Sequence, residues 1–311
     1  MSCSHWSTAR AAEAYRASYA RSLELWPIPF ESRLVETPFG GTHVIVSGAT
    51  TGDPIIFIHA ASLSATQWYL QARDLGARHP LIAVDIMGDI GLSSETNPVR
   101  TRADAADWLA AVLDGLAIRQ AILVGSSFGG FLSTNLAVLH RSYVQSLILL
   151  APAATVQPFR LVANLVIRTG SLVPLPWTVK PGLRGMMGGA LPDPRIVAQM
   201  ELGVAGFRYD RAGIYPSELP DPELRGLSCP TLILLGDRER IYDPVRAADR
   251  VRSLMPNARA QVLPGLGHLL GVQRPDLINP RILDFIGPGR DRAAIASSGV
   301  SWPMSQGLLQ R

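Results

Sequence analysis

Lysine is almost missing from this chain of 311 residues. Lys180 is the only one, and arginine carries nearly all the positive charge. The arginines are scattered, with no run of five or more basic residues. A net charge of +4 and a pI near 9.4, spread in this way, describe a solvated surface and no nucleic-acid footprint. Cysteine is scarce as well. Cys3 and Cys229 lie far apart, and Cys229, just ahead of a strand-like run, reads as a small buried hydrophobe rather than a ligand or nucleophile. No apolar stretch suits a membrane span: the longest, Leu147 to Ile167, is broken by Pro152, Gln157, Pro158 and Arg160. The first eighteen residues carry Arg10, Glu13 and Arg16 and no apolar centre, so no signal peptide is expected, and a reducing cytoplasm is the expected location. What is plentiful is apolar: 47% hydrophobic against 17% charged residues, enough for one large α/β domain or one with an insert.

The most informative stretch is Ala121-Ile122-Leu123-Val124-Gly125-Ser126-Ser127-Phe128-Gly129-Gly130. An apolar run enters a glycine-flanked turn, and the following residues, to His140, can hold an amphipathic helix. Gly-x-Ser-x-Gly between strand and helix is the pattern of a nucleophile elbow. The serine sits in a strained conformation at the strand tip. The positions two before and two after it come too close together for side chains. The helix behind directs its positive end at the site.

Around this stretch the chain alternates strand and helix. Ala9 to Leu25 has helical spacing and stops at Pro27. Ser32 to Thr37 and Thr42 to Ser47 read as a hairpin. Buried strands follow at Pro54 to His59 and Leu81 to Asp85, with a helix expected over Leu63 to Ala77, a turn-rich loop over Ile86 to Ser93 and a helix over Arg102 to Leu116. Ser146 to Leu150 is a further strand. The rhythm then lapses over 153–225, rich in Pro, Gly and Met, with helical patches at Phe159 to Thr169 and Pro194 to Gly206. It resumes with a strand at Thr231 to Gly236, a helix at Pro244 to Met255, a strand at Ala258 to Leu263 and a helix at Pro275 to Ile286. The expected fold is α/β, a mostly parallel sheet with helices on both faces. Five segments are expected: a helical lead at 1–30, a core at 31–152, a helical cap at 153–225, the core again at 226–287, and a loose tail at 288–311.

Ligands of open parallel sheets sit beyond the carboxyl ends of the strands. His59, Ser127, Asp237 and His268 all lie at such ends. A serine hydroxyl needs a neutral imidazole to take its proton, and the imidazole needs a carboxylate to set its tautomer. The expected set is Ser127, Asp237 and His268, with Glu239 and Asp243 as rivals for the acid. The oxyanion would be held by the N–H of Phe128 and by one from the His59-Ala60-Ala61-Ser62 loop, for which Ala61 is chosen. His59 is expected to shape that loop more than to act as a base. Phe159, Trp68, Tyr69, Leu172, Trp177, Met186, Met187 and Phe207 are candidates to line a pocket, though packing is the commoner use of such residues. No cofactor or metal is called for. The expected partner is a small ester, and the oligomeric state is left open.

From about Glu31 to Ile286 the chain resembles the α/β-hydrolase superfamily. The resemblance rests on Ile58-His59-Ala60-Ala61, Asp85-Ile86-Met87-Gly88-Asp89-Ile90-Gly91-Leu92-Ser93, Gly125 to Gly129, Leu235-Gly236-Asp237 and Gly267-His268. It implies a triad of Ser127, Asp237 and His268 under a cap at Ala153 to Arg225. Ala60 stands where that family usually has glycine. More narrowly, His59 to Tyr69 and Val84 to Asp89 resemble the serine macrolide esterases carried on resistance gene cassettes (the EstX and EstT group). That resemblance implies hydrolysis of the lactone ester of 16-membered macrolide antibiotics. A general carboxylesterase, a carbon–carbon bond hydrolase and a non-catalytic binding protein of the same fold are the alternatives.

Overall fold

In the computed structural model, residues 5–170, 175–210 and 212–287 are described, the side chains of 168–170 excepted. The expected tail at 288–311 and Leu172 lie outside these. Nine strands of the described residues form one sheet: β1 (Phe30–Thr37), β2 (Gly40–Gly48), β3 (Ile55–Ile58), β4 (Pro80–Val84), β5 (Ser94–Glu95), β6 (Ala121–Ser126), β7 (Val144–Leu150), β8 (Thr231–Gly236) and β9 (Ala258–Leu263). Their order is β1-β2-β4-β3-β6-β7-β8-β9, with β5 on β2. Every pair from β4 to β9 is parallel, and the pairs made by β2 are antiparallel. This is the mostly parallel sheet that the strand–helix rhythm implies, and the α/β-hydrolase architecture that the resemblance implies.

Among the described residues eleven α-helices accompany the sheet: α1 (Ala9–Leu23), α2 (Tyr69–Gly76), α3 (Arg102–Gly115), α4 (Phe128–Leu139), α5 (Leu161–Gly170), α6 (Val179–Met186), α7 (Pro194–Gly206), α8 (Asp221–Arg225), α9 (Pro244–Leu254), α10 (Leu270–Gln273) and α11 (Pro275–Ile286). Successive strand side chains point to opposite faces. The central strands therefore divide residue by residue between two cores. Ile56, Ile58, Leu123, Leu147, Leu149, Ile233 and Leu235 face α3, α4 and α9. Ile55, Phe57, Ile122, Val124, Ile148, Leu232 and Leu234 pack with Trp68, Leu75, Ile278 and Ile282 on the other face. Both faces are covered, which is why these strands read as unbroken apolar runs.

Some local expectations shift. The hairpin turn is tighter than the glycine pair suggests: Thr37 pairs directly with Gly40. Gly40 has φ 127°, and a Cβ there would lie 2.1 Å from the Ser94 carbonyl oxygen, so its bareness admits β5 beside β2. The single helix expected over Leu63 to Ala77 splits into a 3₁₀ turn, Ala65–Trp68, followed by α2. Between β7 and β8 the chain forms α5 to α8 and no described strand. No helix among the described residues is long and apolar enough to cross a membrane.

Candidate active site

Ser127 caps α4 at the tip of β6 with φ 49° and ψ −112°, left-handed backbone for a residue with a side chain. Its backbone is over-determined. Its N–H bonds the Leu150 carbonyl at 2.9 Å, and its carbonyl accepts from Ala153 at 2.9 Å and Phe131 at 3.1 Å. The flanking glycines serve two different close approaches. A Cβ on Gly125 would lie 2.4 Å from the Gly129 carbonyl oxygen, whereas one on Gly129 would lie 2.1 Å from the Ile58 carbonyl oxygen. Gly129 thus keeps the elbow against the neighbouring strand end, and its N–H bonds the His59 carbonyl at 3.0 Å.

His268 follows β9 and is buried. Its Nε2 accepts the Ser127 hydroxyl at 2.7 Å, and its Nδ1 donates to Glu239 Oε2 at 2.6 Å. The carboxylate beside the imidazole is therefore Glu239, and the expectation of Asp237 is corrected. Asp237 is exposed and its Oδ1 accepts the Gly265 N–H at 2.8 Å, which ties the β8 turn to the β9 turn. The other rival, Asp243, caps α9 by accepting from Val245 and Arg246. The turn after Gly236 explains the choice. Glu239 bonds back to the Gly236 carbonyl, which turns its side chain inward while Asp237 stays on the rim. Gly236 permits the approach of the histidine loop, since a Cβ there would lie 2.1 Å from the Leu266 carbonyl oxygen. Burial alone would raise the Glu239 carboxyl. The electrostatic pull of the adjacent His268 and its hydrogen bond outweigh it, with the Ile241 N–H adding to them, and hold it below the ordinary carboxylate range. In such a line the serine can lose its proton to Nε2 while Glu239 supports the imidazolium.

The loop after β3 is built without glycine. Ala60 N–H donates to Gln67 Oε1 at 2.9 Å, and Ser62 N–H donates to both Asp89 oxygens at 3.2 and 3.0 Å. The Ala61 N–H between them, like the Phe128 N–H at the start of α4, has no hydrogen-bond partner among the described residues. These are the two donors the sequence singles out. His59 is fully buried and shapes the loop. Its Nδ1 donates to the Ala60 carbonyl at 2.8 Å and its Nε2 accepts the Ile86 N–H at 2.9 Å. With both ring nitrogens engaged, it has no lone pair free for proton abstraction.

The pocket candidates fare differently. Trp68 is fully buried and stacks on Phe57 at 4.7 Å beneath the sheet, so it packs the core. Phe207 is buried among Trp6, His5 and Tyr209. Trp177 is 71% exposed. Tyr69, Met186 and Met187 join Leu183 and Leu269 in a small apolar cluster between α6, α7 and the histidine loop. Phe159 packs edge-on to Tyr215 at 5.9 Å. Met186 matters through its backbone: its carbonyl accepts the His268 N–H at 2.7 Å, and a Cβ on Gly267 would lie 2.0 Å from that oxygen. The chain between β7 and β8 thus abuts the histidine directly.

Residues 55–281 match the family model described as the alpha/beta hydrolase family. The chain is 34% identical over 281 residues to the uncharacterized carboxylesterase nap of Bacillus subtilis (strain 168), covering 87% of this chain and 91% of that one. It is 30% identical over 282 residues to carboxylesterase YbfK of the same organism, covering 86% and 92%. The crystal structure of naproxen esterase (carboxylesterase NP) from Bacillus subtilis superposes with a TM-score of 0.83 at 34% identity, over 90% of this chain and 99% of that one. With the elbow, the histidine after the last strand and these relatives in agreement, the chain belongs to the alpha/beta hydrolase family.

Proposed function

We propose that this protein is a serine carboxylesterase that cleaves small-molecule carboxylic esters through an acyl-enzyme. The observation that carries the reading is the unbroken line from the Ser127 hydroxyl through His268 to Glu239, at 2.7 and 2.6 Å. Ser127 Oγ attacks the ester carbonyl as its proton passes to His268 Nε2. The N–H groups of Ala61 and Phe128 receive the oxyanion. His268 then returns the proton to the leaving alkoxide, and a water activated by the same imidazole releases the acid. The carboxylesterase relatives support this general reading over the narrower macrolide one, for which neither the relatives nor the pocket candidates supply an argument.

The test is labelling with a fluorophosphonate probe, followed by turnover of a short p-nitrophenyl ester. An adduct on Ser127 is expected, as is a loss of about 10⁵-fold or more in hydrolysis for Ser127→Ala. Folded protein that takes no adduct would turn the reading toward a binding protein. Incubation with tylosin separates the substrate classes, since ring opening adds the mass of one water.

A further inference from the structure

The oxyanion loop has an anchor that the elbow lacks. Ser62 is left-handed, with φ 63°, in a loop that contains no glycine. Such a conformation in a residue with a side chain persists only where its surroundings over-determine it. Here they do. Both oxygens of buried Asp89 accept the Ser62 N–H, and Asp89 Oδ1 also accepts the Ile90 N–H at 2.7 Å and the Tyr209 hydroxyl at 2.9 Å. Because the Tyr209 proton goes to Asp89, the Ser62 hydroxyl donates to Tyr209 Oη, at 2.8 Å. Backbone, carboxylate, phenol and serine hydroxyl thus close a ring. Tyr209 comes from the chain after α7, outside the sheet, so the ring joins that segment to the loop.

We propose that Asp89 and Tyr209 are positioning residues that set the direction of the Ala61 N–H by locking Ser62, and that this lock replaces the conformational freedom a glycine would supply. The proposal rests on the serine esterase reading. Neither residue touches the reacting atoms; both act through the peptide that follows Ala61. Every partner of the Asp89 carboxylate among the described residues is a donor, so it serves as an acceptor only. Burial draws its carboxyl above the ordinary range, while His59 and these hydrogen bonds pull against that rise. With the lock broken, Ser62 can relax to the commoner right-handed or extended regions, and the Ala61 N–H turns away from the forming oxyanion.

In Asp89→Asn the amide oxygen stays with the Ile90 and Tyr209 donors and an NH2 replaces Oδ2, the nearer acceptor of the Ser62 N–H; Tyr209→Phe removes one hydroxyl from a partly exposed side chain. Both are assayed with a p-nitrophenyl ester and with its thionoester, whose sulfur is a poor acceptor for oxyanion donors. A misdirected donor should lower kcat about tenfold to a hundredfold with KM within about twofold, and should reduce the preference for ester over thionoester by a similar factor. Folded variants with unchanged kcat, or with losses confined to KM and an unaltered ester-to-thionoester ratio, would overturn the proposal. Should Asp89→Asn fail to fold, Tyr209→Phe alone decides it. Ser127→Ala run in parallel separates the two readings: undiminished hydrolysis there sinks the esterase mechanism, whereas its loss beside unaffected Asp89 and Tyr209 variants sinks only the lock.

Discussion

The elbow and the loop after β3 each keep one backbone N–H without a hydrogen-bond partner among the described residues, yet they hold their shapes by different means. At the elbow the geometry is written into bare backbone: Gly125 and Gly129 allow contacts of main chain on main chain, and strand and helix lock Ser127 from both sides. The loop has alanines and a serine, and side chains from elsewhere hold it: Gln67 on Ala60, Asp89 and Tyr209 on Ser62. A turn built on glycine is specified within a few residues. A turn built on other residues needs partners remote in sequence, and so can be loosened from a distance.

The sharpest way to break the contrast is Gly129→Ala. Its new Cβ would meet backbone at both Ile58 and His59, and backbone cannot swing aside. A loss of about 3 kcal/mol or more in stability, with no fluorophosphonate adduct, is expected in denaturant titrations and labelling. Next in size is Glu239→Gln, which should leave the fold intact and lower kcat by roughly 10³- to 10⁴-fold, as for other triads robbed of their carboxylate. Asp237→Asn should stay within about threefold of wild type in the same assay, and the reverse ranking would restore Asp237 as the acid. Gln67→Leu loosens the loop from its other side, leaving the Ala60 N–H without an acceptor. A fall of about tenfold in kcat, less than at the elbow, would sharpen the comparison.

The smallest effect concerns the chain that backs Tyr209. His5 bonds Glu95 at 2.7 Å, and its carbonyl accepts the Arg208 N–H at 2.7 Å. The Glu95 hydrogen bond raises the His5 imidazole above its ordinary value, against partial burial. A folded-state value raised in this way adds stability below about pH 6.5 that disappears as pH rises through the folded value. At this partly exposed site the contribution is a few tenths of a kcal/mol. Hydrogen exchange in the 5–8 segment should therefore quicken from pH 6 toward pH 9 beyond its intrinsic trend, and His5→Ala should abolish the difference.

How much was legible follows the range of each interaction. The alternation of Ile55-Ile56-Phe57-Ile58 and Leu232-Ile233-Leu234-Leu235 between two faces, the spacing of α3 and α11, and the glycines around Ser127 are near-neighbour patterns, readable from the chain alone. They determined the fold class and pointed to the serine and the histidine that the structure brings within 2.7 Å of each other. The acid was not decided at that range. Asp237 and Glu239 stand two residues apart at the same strand end, and either can bond an imidazole. The folded turn spends Asp237 on Gly265 and leaves Glu239 facing His268, a residue 29 positions further on. The apolar side chains of Trp68 and Phe207 were equally ambiguous, because hydrophobicity says that a residue is buried but not against what. Local periodicity and steric bareness belong to the sequence. Which of two chemically equivalent groups meets a distant partner is settled only when the chain closes on itself.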